Sequence, residues 1–265
     1  MTQAQPMKLK ALIFDVDGTL ADTEEAHRRS FNEAFAAHGL DWNWSKPAYA
    51  QLLLTTGGKE RIAVFLDSLP LSVAEREALR ARIPEIHGTK TRIYTQLVID
   101  GEVSLRDGVA RLLEEAQRRG IALAIASTTT FANIDALLTT TLGADALSRF
   151  AAIGAADQVQ RKKPAPDVYE FVLKALHLPA SGCAAVEDSA NGLRAAKAAG
   201  LYTIVTPSYW TRTENFEAAD LLLPSLGSTE RPLKHHAAQL IRSTQLGVTE
   251  INEQLERRES ALRSA

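Results

Sequence analysis

The sequence predicts an α/β protein built on a doubly wound parallel sheet, with a helical segment inserted into it. Three observations predict this. Short all-apolar runs end abruptly at polar residues, helical periods separate those runs, and a long stretch of purely helical periodicity follows the first of them.

Ala11 to Phe14 is a continuous apolar run that stops at Asp15, the pattern of a strand buried on both faces. From about Thr23 to Thr95 apolar residues recur at helical spacing, as in Ala26, Phe31, Ala34 and Phe35 and then Ile62, Phe65 and Leu66. Pro47, Gly57-Gly58 and Pro70 read as turn material within it. That stretch is expected to form a helical cap.

Beyond it, Val109, Leu112, Leu113 and Ala116 make one helical face, Gly120 stands where a C-terminal cap belongs, and Ile121 to Ala126 is a second strand ending at Ser127. Val168, Phe171, Val172 and Ala175 mark a helix introduced by Pro166, and Cys183 to Val186 is a third strand ending at Glu187-Asp188. Ser189 can cap the next helix, Gly200 can end it, and Leu201 to Val205 supplies a fourth strand. Right-handed crossovers between such units put the ligand crevice beyond the carboxyl ends of the strands.

The expected division is a discontinuous core at residues 1–22 and 96–227, a cap at 23–95 and a helical tail at 228–265. The tail's apolar positions are Leu240, Ile241, Leu246, Val248, Ile251, Leu255 and Leu262. So thin a stripe reads as a solvated or loosely docked helix, with packing on the core or self-association as the alternatives. A monomer is expected, a tail-mediated dimer being the other option.

Charge and composition narrow the function. The 265 residues carry 30 Lys+Arg against 32 Asp+Glu, a net charge of -2 that removes the electrostatic case for nucleic-acid binding. A hydrophobic fraction of 45% suffices for a packed core. The single cysteine, Cys183, permits no intrachain disulfide, and a reducing compartment is the natural setting. Met1 to Lys10 holds no apolar signal-like stretch, and no run approaches the roughly 18 apolar residues of a membrane span. A cytoplasmic protein with no membrane partner is expected.

The polar residues at three strand ends carry the chemistry. In Asp15-Val16-Asp17-Gly18-Thr19 the acids at i and i+2 leave the strand on one face, and Gly18 lets the backbone turn away at once. Two such charges need a counter-cation, and Mg²⁺ prefers oxygen ligands. Ser127-Thr128-Thr129-Thr130 offers hydroxyl donors for phosphoryl oxygens, and Glu187-Asp188 is a second acid pair suited to completing a metal site. Arg161-Lys162-Lys163-Pro164 contains a lysine able to neutralise a transferring phosphoryl group. Each has a bland counterpart: a turn, a loop, solvated charges. Their order along the chain favours a common site.

The cap contributes Glu24 and His27 on its first helix, the Gly57-Gly58-Lys59-Glu60-Arg61 turn, and His87 with Lys90. A glycine pair followed by cations at a helix start suits a second phosphate, since backbone N–H groups and positive charge converge there. It reads equally as a helix-start turn with solvated charges.

These four motifs, in this order, resemble those of the haloacid dehalogenase superfamily of phosphotransferases, over residues 8 to about 226. The resemblance implies an HAD-like Rossmannoid core and makes Asp15 the nucleophile that forms an aspartyl-phosphate. It makes Asp17 the general acid and then the base, and gives Ser127 and Lys163 catalytic roles. It also implies Mg²⁺ held by Asp15, the Asp17 carbonyl and Asp188, with Glu187 direct or through water.

A closer likeness rests on Asp22-Thr23-Glu24-Glu25, His27-Arg28-Arg29, Thr55 to Ile62 and Glu187 to Gly192, which look like the CbbY family. That family dephosphorylates xylulose 1,5-bisphosphate, an inhibitor of Rubisco, to xylulose 5-phosphate. The likeness implies that Lys59 and Arg61 hold the distal phosphate. It points to Glu24, His87, Lys90 and the Ser127 to Asn133 loop, with Thr128 and Thr129, as further substrate contacts. A small phosphorylated sugar is the expected partner. The rival readings are a β-phosphoglucomutase-like isomerase, a phosphoglycolate or general sugar-phosphate phosphatase, and a noncatalytic binding module.

Overall fold

The computed structural model describes residues 8–264, with the side chains of 235, 236 and 261–264 outside that description. Strands β1 (Ala11–Phe14), β2 (Ala122–Ala126), β3 (Phe150–Gly154), β4 (Cys183–Glu187), β5 (Tyr202–Val205) and β6 (Leu221–Leu222) form one parallel sheet. Their order is β3-β2-β1-β4-β5-β6, so the first strand in sequence lies inside the sheet. β1 is buried throughout and pairs with β2 on one side and β4 on the other, Phe14 lying level with Ile125 and Val186. The crossovers leave β1 in opposite directions, and at such a switch point a crevice opens beyond the strand ends.

Helices α1 (Glu24–Ala37), α2 (Lys46–Leu52), α3 (Gly58–Asp67) and α4 (Val73–Ile99) all fall between β1 and β2. They enclose an apolar cluster of their own around Phe31, Phe35, Trp44, Tyr49, Ile62 and Ile86. Pro47 is not a turn: it occupies the first turn of α2, where its missing N–H leaves no bond unmade, and Ser45 caps that helix. A Ser72–Glu75 capping box starts α4, which continues through Ile99, past residue 95.

Helices α5 (Val109–Arg118), α6 (Phe131–Leu142), α7 (Asp167–Leu176) and α8 (Ala190–Ala198) cover the two faces of the sheet. Leu12 and Phe14 join Leu112, Leu113, Ile134 and Leu137 on one face, while Ala11 and Ile13 join Val168, Val172, Ala195 and Ala196 on the other. The strand's period of two thus feeds two cores.

The helical face of α7 differs from the expected one: Val168, Tyr169 and Val172 are buried, whereas Phe171 and Ala175 are exposed. Two strands are additional to the four expected. β3 is an edge strand with alternating burial, and β6 is two residues long.

The tail also departs from expectation. Helices α9 (His235–Ile241) and α10 (Val248–Ser264) are not loosely docked: Ile241, Leu246, Val248, Ile251 and Leu255 are all buried in the larger core cluster. Leu240 is exposed, and Leu262 lies outside the described side chains. Polar contacts fix the helix in place. Arg111 donates to the Leu246 carbonyl (2.8 Å), Glu115 accepts from the Val248 N–H (3.2 Å), and Asn252 Oδ1 accepts from the Leu9 N–H (3.0 Å). Among the described residues no helix is long and apolar enough to cross a membrane.

Candidate active site

Because β1, β2 and β4 run parallel in register, their carboxyl ends bring Asp15, Ser127 and Glu187-Asp188 side by side. The turn after β1 requires glycine. Gly18 has φ +80°, and a Cβ there would stand 2.3 Å from Asp188 Oδ2, so Asp188 packs directly on the Gly18 backbone. Lys163, from the loop before α7, is buried and spends all its donors on the floor of the crevice. Its Nζ donates to Asp15 Oδ1 (2.7 Å), Glu187 Oε1 (2.6 Å) and the Ala126 carbonyl (2.9 Å). The Tyr169 hydroxyl also donates to Glu187 Oε1, at 2.6 Å.

One lysine does not balance this much acid. Burial pushes Asp15 up to about 7; Lys163 holds it down while Glu187 and Asp17 push it further up. Asp188 is raised well above the carboxylate range by burial, then by Asp15 and Glu187. Burial alone would discharge Lys163, but Asp15 and Glu187 hold its pKa above that of a free lysine. Carboxylate oxygens of Asp15, Glu187 and Asp188 lie within 4.8 Å of one another. A buried, all-oxygen, charge-deficient cluster fits a hard divalent cation. Glu187 has fewest lone pairs to spare, since Lys163, Tyr169 and the Asp188 N–H already use them.

Asp17 faces away from that cluster. Its Oδ1 accepts from Thr23 Oγ1 (2.7 Å) and meets His27 Nε2 (3.0 Å), and His27 Nδ1 lies 2.6 Å from Lys90 Nζ. An ammonium has only donors to offer, so Lys90 donates to Nδ1 and the ring proton sits on Nε2, facing Asp17. Burial and then Lys90 lower the His27 pKa, keeping the ring neutral. Burial works against ionised Asp17, but His27 and Thr23 outweigh it and hold the carboxyl below its ordinary range. Burial brings Lys90 down to about 7. The His27 ring is stacked on Tyr94 at 3.9 Å.

A cavity of about 280 Å³ lies between this floor and the inserted helices. Asp15, Asp17, Lys163 and Asp188 line it from below, and Glu24, His27, Gly57, Gly58, Lys59, Arg61, His87 and Lys90 from above. Thr128, Thr129 and Asn133 form part of the wall. Asn133 Nδ2 donates to Thr129 Oγ1 (3.0 Å), which leaves buried Oδ1 an acceptor with no partner among the described residues.

Three of the expected residues, Ser127, Glu187 and exposed Glu60, do not line the cavity. Ser127 is buried, with its Oγ accepting from the Thr129 N–H (3.2 Å). Glu187 lies beneath Lys163, and the Glu60 carboxylate accepts from Lys162 Nζ at 2.5 Å.

On the roof, Arg61 donates to the Tyr49 hydroxyl (2.9 Å) and the Leu52 carbonyl (3.2 Å). Lys59 makes no hydrogen bond or ion pair among the described residues. His87 packs against bare Gly58 backbone, where a Cβ would come within 2.4 Å of its Nε2. Burial, then Lys90, Lys59 and Lys162, bring His87 down to about 4, so it is neutral at physiological pH.

Sequence reading missed several residues of the site. Thr23 and Tyr169 bond Asp17 and Glu187, Tyr49 bonds both Glu24 and Arg61, and Arg106 joins the Gly18 carbonyl (2.5 Å) to the Thr206 carbonyl (2.6 Å). Thr23 sits at a helix start six residues after Asp17, which is a usable signal. The others carry none, because only the tertiary fold brings them in.

The haloacid dehalogenase-like hydrolase family model matches residues 9–200. Protein CbbY of Rhodobacter capsulatus is 51% identical over 222 residues, covering 84% of this chain and 96% of that protein. The crystal structure of CbbY from Rhodobacter sphaeroides in complex with phosphate superposes with a TM-score of 0.75 at 49% identity, covering 82% of this chain and 94% of that one. A mutant of the same protein, solved in complex with xylulose 1,5-bisphosphate, gives a TM-score of 0.76 at 48% identity, covering 84% and 98%.

Proposed function

The chain belongs to the haloacid dehalogenase-like hydrolase family and is a phosphatase, and on that footing we propose that it hydrolyses xylulose 1,5-bisphosphate to xylulose 5-phosphate and inorganic phosphate. The observation that carries this reading is a single cavity with two separate groups of charged side chains, which we read as the seats of two phosphates. One is the floor at Asp15 and Lys163; the other is the roof at Lys59, Arg61 and Lys90. A bisphosphate spans both, while a monophosphate uses one. Residues 23–95 act as the cap of this reading and the remainder, to 227, as its core. Asn133 Oδ1, without a partner among the described residues, is suited to accept from a sugar hydroxyl.

In this mechanism a carboxylate oxygen of Asp15 attacks the phosphorus of the reacting phosphate, forming a P–O bond to the enzyme as the P–O bond to the sugar breaks. Asp17 gives a proton to the departing sugar oxygen. Asp17 then takes a proton from water, the water oxygen attacks the same phosphorus, and the bond to Asp15 breaks to release phosphate. Asp17 is ionised in the free protein, so it must first gain the proton that it donates; an arriving phosphate dianion raises its pKa in that direction. Asp15 and Asp188, with Glu187 beside them, would hold Mg²⁺, which would supply positive charge to the phosphoryl oxygens. Lys163, bonded to Asp15 and Glu187, would add positive charge to the same oxygens, and buried Ser127 shapes the loop whose Thr128 and Thr129 line the cavity.

The test is a substrate panel with Mg²⁺ present: xylulose 1,5-bisphosphate, ribulose 1,5-bisphosphate, phosphoglycolate and β-glucose 1-phosphate. The highest kcat/KM is expected for xylulose 1,5-bisphosphate, with phosphate released in proportion to substrate consumed. Preference for a monophosphate, or isomerisation without phosphate release, refutes the assignment.

A further inference from the structure

Trp210 lies on the core segment 206–214 that follows β5, yet its ring packs into the aromatic cluster of the inserted helices. It meets Tyr49 edge to face, with ring centres 5.4 Å apart and planes at 88°. Every other described member of that cluster comes from between Phe31 and Ile93. Tyr49 is fully buried, and its hydroxyl works twice, donating to Glu24 Oε2 (2.7 Å) and accepting from Arg61 Nη1 (2.9 Å). The Arg61 guanidinium carbon also stands 5.2 Å above the same ring. One ring therefore sets the position of two charged groups on the roof.

Trp210 is in turn tied to the floor. Its backbone N–H donates to Ser208 Oγ (3.3 Å), the Ser208 backbone N–H donates to Thr211 Oγ1 (2.9 Å), and the Thr211 hydroxyl donates to Asp188 Oδ2 (3.1 Å). Arg106 secures the start of the segment through the Thr206 (2.6 Å) and Pro207 (2.9 Å) carbonyls. Two other core residues reach this stretch of the roof. Asn191 donates to the Leu54 carbonyl (3.1 Å) and Thr56 Oγ1 (3.0 Å), and Lys162 to Glu60 (2.5 Å). Asn191 brackets Thr55, whose carbonyl accepts from Arg61 Nη2 (3.4 Å), whereas Trp210 packs on the Tyr49 ring itself.

We propose that Trp210 is a positioning residue for the distal anion: the fixed edge against which Tyr49 seats, so that Glu24 and Arg61 are held in register with Asp15. A rigid ring suits this task, since edge-to-face packing is directional and costs little side-chain entropy. The role rests on the reading of the roof as the seat of the distal phosphate.

Steady-state kinetics on xylulose 1,5-bisphosphate and on p-nitrophenyl phosphate, which has no distal anion, test it in Trp210→Ala, Trp210→Phe, Trp210→Leu and Arg61→Ala. Trp210→Ala is expected to raise KM for the bisphosphate about tenfold, the upper range for an aromatic pair. It should leave kcat/KM for p-nitrophenyl phosphate within about twofold, because only interactions with the distal group are lost. Trp210→Phe should restore most of the KM, and Trp210→Leu, with similar bulk but no aromatic edge, should not.

Equal loss on both substrates, an unchanged KM, or Phe no better than Leu overturns the role. The Phe and Leu pair carries the comparison alone if Trp210→Ala does not fold. Arg61→Ala separates the two readings: if it also fails to discriminate between the substrates, the distal-anion reading falls. If it discriminates and the Trp210 variants do not, only the positioning role falls.

Discussion

The floor and the roof of the cavity are built on different principles. On the floor, adjacent strands in register fix the backbone, and the side chains saturate one another: Lys163 has no donor left, and Glu187 accepts from a lysine, a tyrosine and a backbone amide. On the roof, long side chains project from helices, and Lys59 has no polar partner among the described residues. A buried network in which one lysine bridges two carboxylates and a carbonyl cannot shift without leaving a charge unpaired, so it suits chemistry that tolerates no misplacement. A roof with spare donors can accept whichever leaving group fits it. The difference teaches where to look for reaction type and where for substrate.

Substitutions can break that distinction. The largest effect is expected at the floor: Asp15→Asn should lower kcat at least ~10⁴-fold on the bisphosphate and on p-nitrophenyl phosphate alike, since no other group is placed to attack. Substantial turnover by this variant in a phosphate-release assay would move the nucleophile elsewhere. Next comes Asp17→Asn, at roughly 10²- to 10⁴-fold in kcat/KM for the sugar phosphate. The loss should be smaller for p-nitrophenyl phosphate, whose leaving group departs without a proton, and equal losses would detach Asp17 from leaving-group protonation.

At the roof, Arg61→Ala should raise KM for the bisphosphate by roughly 10- to 100-fold, the worth of a charge-assisted hydrogen bond. It should leave p-nitrophenyl phosphate turnover unchanged. A matching loss on both substrates would make floor and roof one unit.

The smallest effect sharpens the account of the floor's charge. Asp15 has its pKa raised from 3.8 to about 7, so it favours the native state at low pH, and that contribution is lost as pH rises through about 7. A cation bound by ionised Asp15 and Asp188 would offset the loss. Thermal melting should therefore show Mg²⁺ raising Tm by more at about pH 8 than at about pH 5. Equal shifts at the two values would place the cation outside this cluster.

Much of the floor was legible in the sequence, because a strand buried on both faces must be apolar and the polar residues that end it then stand out. Ala11–Phe14 before Asp15 and Cys183–Glu187 before Asp188 show this directly. β3 was not legible although Phe150–Ile153 is an unbroken apolar run, because Gly154-Ala155-Ala156 follow it and no polar residue marks its end. Nor was the docking of α10: a stripe of Val248, Ile251 and Leu255 looks thin until Arg111, Glu115 and Asn252 supply the polar contacts that seat it. Tyr49 and Trp210 illustrate the same limit at the roof. They lie far apart in sequence and meet only when the insertion folds over the sheet.

The interior position of β1 also sets a timetable for the chain. Both strands that flank its own, β2 and β4, and the partners Lys163, Glu187 and Asp188 follow Asp15 by more than 100 residues. At a synthesis rate of ~5–20 residues per second, Asp15 waits roughly ten seconds or more for its surroundings. Until β2 is made, its strand has no neighbour on either side, and the acid-and-lysine floor is complete only once Asp188 has been added.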